Sequence, residues 1–471
     1  MRKPIRFCTI ALTFVLLSTT IFSAGCTCLM PSPMPYGPKV TGDGTGGATA
    51  VYEDIRGGNQ HDFYAQRISP TGDTLWGETG VLIGSGYKDS DSFFDLHIVN
   101  DGSGGAFAVW SAYTSEPDWR AAPGQRQIPY LTHLTRVGLE GNMLWQREIG
   151  AIYHMISDGS GGVIIASISE EQQLNILKVD SEGNYPWGED GVQLYFGNYS
   201  SSLHMTGDGS GGAIIVQQNL TQTATNFEIF VQKVSSDGSL PWEQKGIHLY
   251  PPWGNAEEVR IINDGSGGAI VAWQVESKDI RVQRVDANGN VLWQQDGLPL
   301  ELNKVAEGPF LHTPLLVSDR TGGAIVIWED LRRGLASIYA QKVDADGNIK
   351  WQPSGEEVCY IKTNSSFWPR TAVSDGSGGV IIACSYKEAE TNKKGLLAQK
   401  LDPAGRVVWD NGVVVTESDH ITHVISSDGQ GGAIVAWGSR KSMFKSGRSY
   451  VQRIDSNGKL LWGTEGIKLN E

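Results

Sequence analysis

Apolar runs of strand length recur along this chain, and each is bounded by a cluster of Gly, Asp, Asn or Ser. Residues 259–293 show the pattern clearly. A short apolar run over 259–263 is followed by Asp264-Gly265-Ser266-Gly267-Gly268 and a second apolar run over 269–273. A third run over 279–286 ends in a turn at Ala287-Asn288-Gly289, and a fourth opens at 290–293. Four short runs separated by turn residues predict a four-stranded antiparallel meander, strands A to D. The same order repeats. The Asp-Gly-Ser-Gly-Gly string, or a close variant, begins at Asp43, Asp101, Asp158, Asp208, Asp264, Asp319, Asp375 and Asp428, at intervals of 50 to 58 residues. One meander is too small to bury both of its faces, whereas eight stacked face to face around an axis form a β-propeller. The expected fold is all-β: an eight-bladed propeller of four-stranded repeats. An open solenoid is the competing geometry, but it calls for atypical capping repeats and the terminal copies are typical.

The turn chemistry explains the recurring residue types. Glycines adopt positive φ without a Cβ penalty, and an Asp side chain bonds back to the N–H groups of its own turn. Each C–D turn carries a Gly (Gly72, Gly141, Gly183, Gly238, Gly289, Gly347, Gly405 and Gly458), and four residues after each stands a tryptophan: Trp76, Trp145, Trp187, Trp242, Trp293, Trp351, Trp409 and Trp462. One Trp at a fixed point per blade is suited to wedge between neighbouring blades. Five residues before each turn Gly lies a basic residue: Arg67, Arg136, Lys178, Lys233, Arg284, Lys342, Lys400 and Arg453. Eight basic groups in one register predict a structural ladder, pairing with turn carboxylates, and not a functional cluster. The 59 glycines also exclude a mostly helical protein, since an interior Gly costs a helix roughly 0.5–1 kcal/mol relative to Ala.

Charge and leader narrow the function classes. The net charge of −14 and the lack of a basic face argue against a nucleic-acid partner. Arg2, Lys3 and Arg6 precede an apolar stretch over 7–22, and then come Ser23, Ala24, Gly25 and Cys26. That order predicts a bacterial secretory signal peptide over 1–25. Small residues directly before a Cys resemble the lipobox of bacterial lipoproteins. The resemblance implies a lipidated Cys26, a tether over 26–37 and a propeller over 38–471, held at a membrane on the periplasmic side or at the cell surface. An ordinary cleaved signal peptide and an uncleaved anchor are the alternatives. Of the five cysteines only Cys359 and Cys384 fall in the propeller body. A disulfide between them and a simple core role for Cys384 both remain open, and no Cys/His spacing suggests zinc. No cofactor is expected, and the expected state is a monomer.

The Asp-x-x-Gly-x-x-x-Trp element, as in residues 286–293, resembles the tryptophan-docking motif of quinoprotein-type propellers, although this turn is one residue shorter and lacks a Thr before Gly. It is loosely similar to the Asp-box hairpin of sialidase-type propellers. The Asp-Gly-Ser-Gly-Gly turn resembles repeats in uncharacterised bacterial surface proteins. These resemblances imply an eight-bladed architecture. They imply no particular activity, because the body has neither the vicinal Cys pair of quinoprotein dehydrogenases nor an evident arginine triad of sialidases. Some quinoprotein-like propellers are lipoprotein scaffolds without catalysis, one of them in outer-membrane protein assembly.

Candidate binding residues follow from what the repeat leaves unexplained. The A–B and C–D turns fall on one face and are nearly invariant. The B–C loops and D-to-A connections fall on the other and vary, which is where binding usually lies. Trp119, Trp253 and Trp368 stand outside the repeat and, with Phe93, Phe94 and Phe310, are suited to an aromatic rim for a sugar or peptide, or to plugging loops onto the scaffold. Four residues before the turn Asp stand Lys39, His97, His154, His204, Arg260, Leu315 and Thr371, with His423 matched in the eighth copy by assuming one extra Ser. Strand A is innermost in a propeller, so this set predicts a basic ring near the channel mouth for an anion or a metal, or a hydrated lining. Glu53-Asp54 with Arg56, and Glu329-Asp330 with Arg332, suit acid/base catalysis or loop-capping salt bridges. The expected function is a non-enzymatic binding or scaffold module for a protein, peptide or glycan. The alternative is a hydrolase or lyase acting on extracellular polysaccharide at the channel mouth.

Overall fold

The computed structural model describes residues 37–470 apart from 55, 57–60, 87–95, 114–129, 169–172, 195–199, 221–226, 243–244, 251–255, 277–278, 301–313, 331–335, 360–364, 419–420 and 440–446. Each repeat folds as its pattern predicts. Eight separate four-stranded antiparallel sheets follow one another along the chain, each from one continuous segment. They form blades 1 to 8, spanning 39–85, 96–149, 152–194, 200–250, 256–300, 315–357, 365–416 and 421–468. The A strand of every blade touches the A strands of both neighbours, and blade 8 touches blade 1, so the ring is closed. Among the described residues no strand is swapped across the seam. There, Gly42 N–H donates to Ser426 Oγ at 2.9 Å, and Asn470 Nδ2 donates to the Glu53 carbonyl at 3.1 Å. Among the described residues no helix is long and apolar enough to cross a membrane.

The core is not a central one. Eight apolar clusters each join the facing sides of two neighbouring blades, one cluster per junction. This follows from radial sheets: both faces of every blade meet protein, which is why B strands such as Ala269–Val275 are buried along their whole length.

Polar chemistry stitches the junctions in the same way. In blade 5, Asp264 Oδ1 accepts the N–H groups of Ser266 and Gly268 at 2.8 and 2.9 Å. Its Oδ2 accepts Arg284 Nε and Nη2 at 3.0 and 2.9 Å, while Arg284 Nη1 donates to the Ala345 carbonyl of blade 6 at 3.0 Å. The equivalent pairs Arg136–Asp101, Lys178–Asp158, Lys233–Asp208, Lys342–Asp319, Lys400–Asp375 and Arg453–Asp428 lie within 2.9–3.5 Å. In blade 1, by contrast, Arg67 Nε has no hydrogen-bond partner.

The tryptophans dock as expected. All eight indole N–H groups donate to a carbonyl in the next blade's C–D turn, from 2.8 Å for Trp145 to Ser181 up to 3.2 Å for Trp351 to Pro403. The glycine of that turn is required twice over. Gly347 has φ +84°, and a Cβ there would lie 2.9 Å from Cδ1 of Trp293.

Two details differ from the sequence pattern. In blade 5 the D strand is Leu298–Leu300, and the predicted fourth run contributes only a Val285–Val291 bridge. A buried glutamine and a tight turn account for the offset. Gln283 Oε1 accepts the Trp293 N–H, its Nε2 donates to the Gln294 carbonyl, and Gly297 then turns the chain back. The second difference concerns the eighth A strand and is described with the site.

Cys359, just past the D strand of blade 6, and Cys384, in the B strand of blade 7, are buried thiols whose Sγ atoms lie 3.3 Å apart. In an oxidising compartment they are expected to join, tying blade 6 to blade 7. Closing a loop of this length stabilises by about 3 kcal/mol. Intact mass should fall by two hydrogens relative to reduced protein, and reduction should lower the unfolding midpoint. Two thiols titratable after non-reducing unfolding would contradict this.

Candidate functional site

The ring brings one set of predicted residues together. Lys39, His97, His154, His204 and Arg260 occupy the same register on five consecutive A strands, paired with Val51, Val109, Ala166, Val216 and Ala272 of their B strands. Leu315 and Thr371 continue the register in blades 6 and 7. All seven are partly buried at or near the innermost strands, or, for Thr371, beside a strand irregularity. The result is a polar arc over blades 1 to 5 facing a shorter stretch with two aliphatic side chains.

The eighth position requires a correction. Strand Ile421–Ser427 pairs without a bulge, placing Val424 opposite Ala436 and His423 opposite Trp437. Val424, not His423, completes the ring. No extra residue is accommodated, and a one-residue difference along a strand sends the side chain to the opposite face. His423 is buried between blades 7 and 8, where its Nε2 lies 3.3 Å from the Ala383 carbonyl.

The arc is tightly built. Arg260 Nη1 donates to His204 Nε2 at 2.7 Å. A guanidinium is only a donor, so this contact fixes His204 as neutral with its proton on Nδ1. Arg260 also donates to the Val259 carbonyl at 2.7 Å. The His154 ring stands edge-on to His204 at 5.9 Å between centroids, and its Nδ1 is sealed from solvent without a hydrogen-bond partner. Thr371 Oγ1, in the same register, is likewise sealed and unpartnered. No carboxylate stands in this register. Glu258, exposed and two residues before Arg260, is the acidic group acting on Arg260 among the described residues.

These surroundings keep the imidazoles neutral. Burial, with His154 and Lys39 adding, pushes the pKa of His97 down to about 3. Burial and then Arg260 push His154 down to about 4. Burial, Arg260 and His154 hold His204 well below the ordinary value. The sign for stability follows. Above pH 6.5 these groups are neutral in both folded and unfolded chains, and their contribution is fully present. As pH falls through 6.5 the unfolded chain takes up protons that the folded chain refuses, so stability is lost until the folded values are reached. His97 and His154 are each expected to cost about 1.5 kcal/mol between pH 6.5 and pH 5, and His204 adds in the same direction. The turn carboxylates act lower: Asp158, though burial opposes its ionisation, is held below the usual range by Ser160 and backbone N–H groups, so its loss begins only below pH 4. Denaturant unfolding should therefore show a decline from pH 6.5 to 5 in the wild type that flattens in His97→Gln/His154→Gln/His204→Gln. An equal slope in both would contradict the neutral-histidine arc.

The other candidates are not assembled into one site. Trp119, Trp253, Phe93, Phe94 and Phe310 lie outside the described residues. Trp368 lies on strand Ser365–Ser374, and its side chain is outside the described set. Cys26 and the rest of the leader also lie outside it. Glu53, Asp54 and Arg56 do not converge on the channel register. Arg56 N and Nε donate to Asp54 at 2.9 and 2.7 Å, the guanidinium covers Tyr64, and Glu53 pairs with His61 Nδ1. Of the second copy, Glu329 is buried, while the Asp330 side chain and Arg332 are outside the described set. Among the described residues no three His, Cys, Asp or Glu side chains gather to hold a metal. A cavity of about 610 Å³ opens on the invariant face between the A–B turns of blades 3 and 4. Its serine hydroxyls are already used, with Ser160 donating to Asp158 and Ser210 to Asp208. The buried glutamines and the orphan Thr371 hydroxyl were missed by sequence reasoning. A Gln one residue before the ladder's basic group in six copies was the available signal for the former.

No family model matches the chain, and no curated protein matches it. Among solved structures it is similar to prolyl oligopeptidase B from Galerina marginata (11% identity, TM-score 0.47), covering 87% of this chain and 56% of that one. It is also similar to the BP39L lectin from Burkholderia pseudomallei (11% identity, TM-score 0.45, 79% of this chain and 97% of that one). A third is the β-propeller domain of the Trilobed protease from Pyrococcus furiosus, with its open velcro topology (11% identity, TM-score 0.41, 79% and 97%).

Proposed function

We propose that this protein is an exported, lipid-anchored binding or scaffold module that takes a protein, peptide or glycan ligand at the channel mouth, without chemistry of its own. The observation that carries the reading is the polar arc. Unlike polar and charged side chains from five consecutive blades share one register there, and His154 Nδ1 is sealed from solvent without a partner. The docking tryptophans and, from blade 2 to blade 8, the ladder and its turn aspartates are bonded within the scaffold. Against the polysaccharide-cleaving alternative, the described carboxylates of the Glu53-Asp54 cluster are held in internal pairs away from the arc. Anchoring through Cys26 would leave the propeller free in the exported compartment, with the tether setting its reach.

The test is a glycan and peptide array probed with the purified protein, alongside Trp253→Ala and Trp368→Ala. The reading expects at least one ligand class to be retained in an unaltered covalent state. Capture that survives both changes assigns no part of it to the aromatic rim and leaves the arc as the site. Cleavage of a bound glycan would overturn the reading in favour of an enzyme.

A further inference from the structure

The arc has the chemistry of a receptor for negative charge. Lys39 and Arg260 end it with permanent cations, and three imidazoles lie between them. The charged or titratable groups acting on these histidines are Lys39 and His154 at His97, Arg260 at His154, and Arg260 with His154 at His204. Among the described residues, Glu258 is the acidic group that acts on Arg260. A metal cation is a poor occupant beside two permanent positive charges, and the histidines do not gather as a ligand set. One polar atom of the arc has no partner: His154 Nδ1 is sealed from solvent, and leaving such a group unpaired costs about 1–3 kcal/mol. Across the channel, the register turns to Leu315 and Val424.

Resting on the binding reading above, we propose that the arc from Lys39 to Arg260 binds a single oxyanion group of the ligand, a carboxylate, sulfate or phosphate, and takes up a proton as it does so. The oxyanion accepts hydrogen bonds from Arg260, Lys39 and imidazole N–H groups. Its charge offsets the repulsion that keeps the histidines neutral, so at least one imidazole becomes a second charged donor. The balance is one proton gained from solvent per histidine recruited, with no covalent change. The less polar part of the ligand lies against Leu315 and Val424. Affinity then tightens as pH falls, by up to about tenfold per pH unit for each proton taken up.

The experiment is isothermal titration of the full chain with sulfate, phosphate and acetate at pH 5.5 and 7.5, with chloride as control at equal ionic strength. It is run in two buffers of different ionisation enthalpy to count protons. The expected result is saturable binding of at least one oxyanion but not chloride, tighter at pH 5.5, with measurable proton uptake. The binding should weaken at least about tenfold in Arg260→Gln and lose its pH dependence in His97→Gln/His154→Gln/His204→Gln. A Lys39→Gln variant, which leaves the Arg260–His204 contact in place, guards against misfolding of the others and should also weaken binding. Acetate alone binding assigns a carboxylate ligand; sulfate and phosphate alone assign a sulfated or phosphorylated one. Oxyanions indistinguishable from chloride, or binding without proton uptake, would overturn the inference. Capture of an array ligand under those same null results would leave the binding-module reading standing, whereas oxyanion binding with no array ligand would do the reverse.

Discussion

Trp462→Ala is expected to destabilise the propeller by about 3–5 kcal/mol, the range for emptying a buried tryptophan site. Trp462 is buried. Its Nε1 donates to the Pro70 carbonyl of blade 1 at 3.2 Å, and its ring lies against Gly72, where a Cβ would stand 2.8 Å from Cδ1. The same substitution at Trp293 removes an equivalent contact to Ala345 and is expected to cost a similar amount. The two should differ in how the protein opens. Blades 5 and 6 remain joined by the chain, whereas blades 8 and 1 are held only by noncovalent contacts. Hydrogen exchange in Trp462→Ala should therefore rise first in the strands that close the seam, Ala48–Asp54 and Ala433–Ser439, whose apolar side chains form the blade 8–blade 1 cluster. Trp293→Ala should show no such preference. Equal exchange patterns in the two variants would argue against a noncovalent seam as the weak point.

Asp264→Ala should also be costly, at about 3 kcal/mol, because it takes the partner from a partly buried guanidinium as well as from two turn N–H groups. The carboxylate is about 1% exposed and accepts from Ser266, Gly268 and Arg284. Asp264→Asn keeps an oxygen for the turn while giving up the charge, so its cost should be smaller. Denaturant midpoints should rank wild type above Asn and Asn above Ala. If Asn and Ala fall together, the ion pair rather than the turn supplies the stability, and if both match wild type the ladder contributes nothing.

Much of this was legible in the sequence for a physical reason. The turn Asp, the turn Gly and the docking Trp act through chemistry within a few residues or at a fixed offset into the next blade, so each repeat carries its own signature. Blade count and strand order follow from that signature. What was not legible depends on register. His423 appeared to match the ring because an insertion was assumed, yet Val424 takes the place, and only strand pairing distinguishes them. The late D strand of blade 5 was hidden because Gln283, rather than a neighbouring strand, satisfies the backbone near Trp293. The arc itself was visible as a column of basic residues. Its meaning was not, since the neutral state of the histidines comes from burial and from the Arg260–His204 contact, which join residues 56 apart.

The most direct test of the division between scaffold and site is to measure ligand capture and unfolding together. Wild type and His154→Gln/Arg260→Gln would be compared with a ligand recovered from the array. The account predicts that the double variant still unfolds cooperatively at pH 7.5, with a midpoint lowered only by the two lost Arg260 hydrogen bonds, and loses the ligand. Undiminished capture by the folded double variant would contradict it.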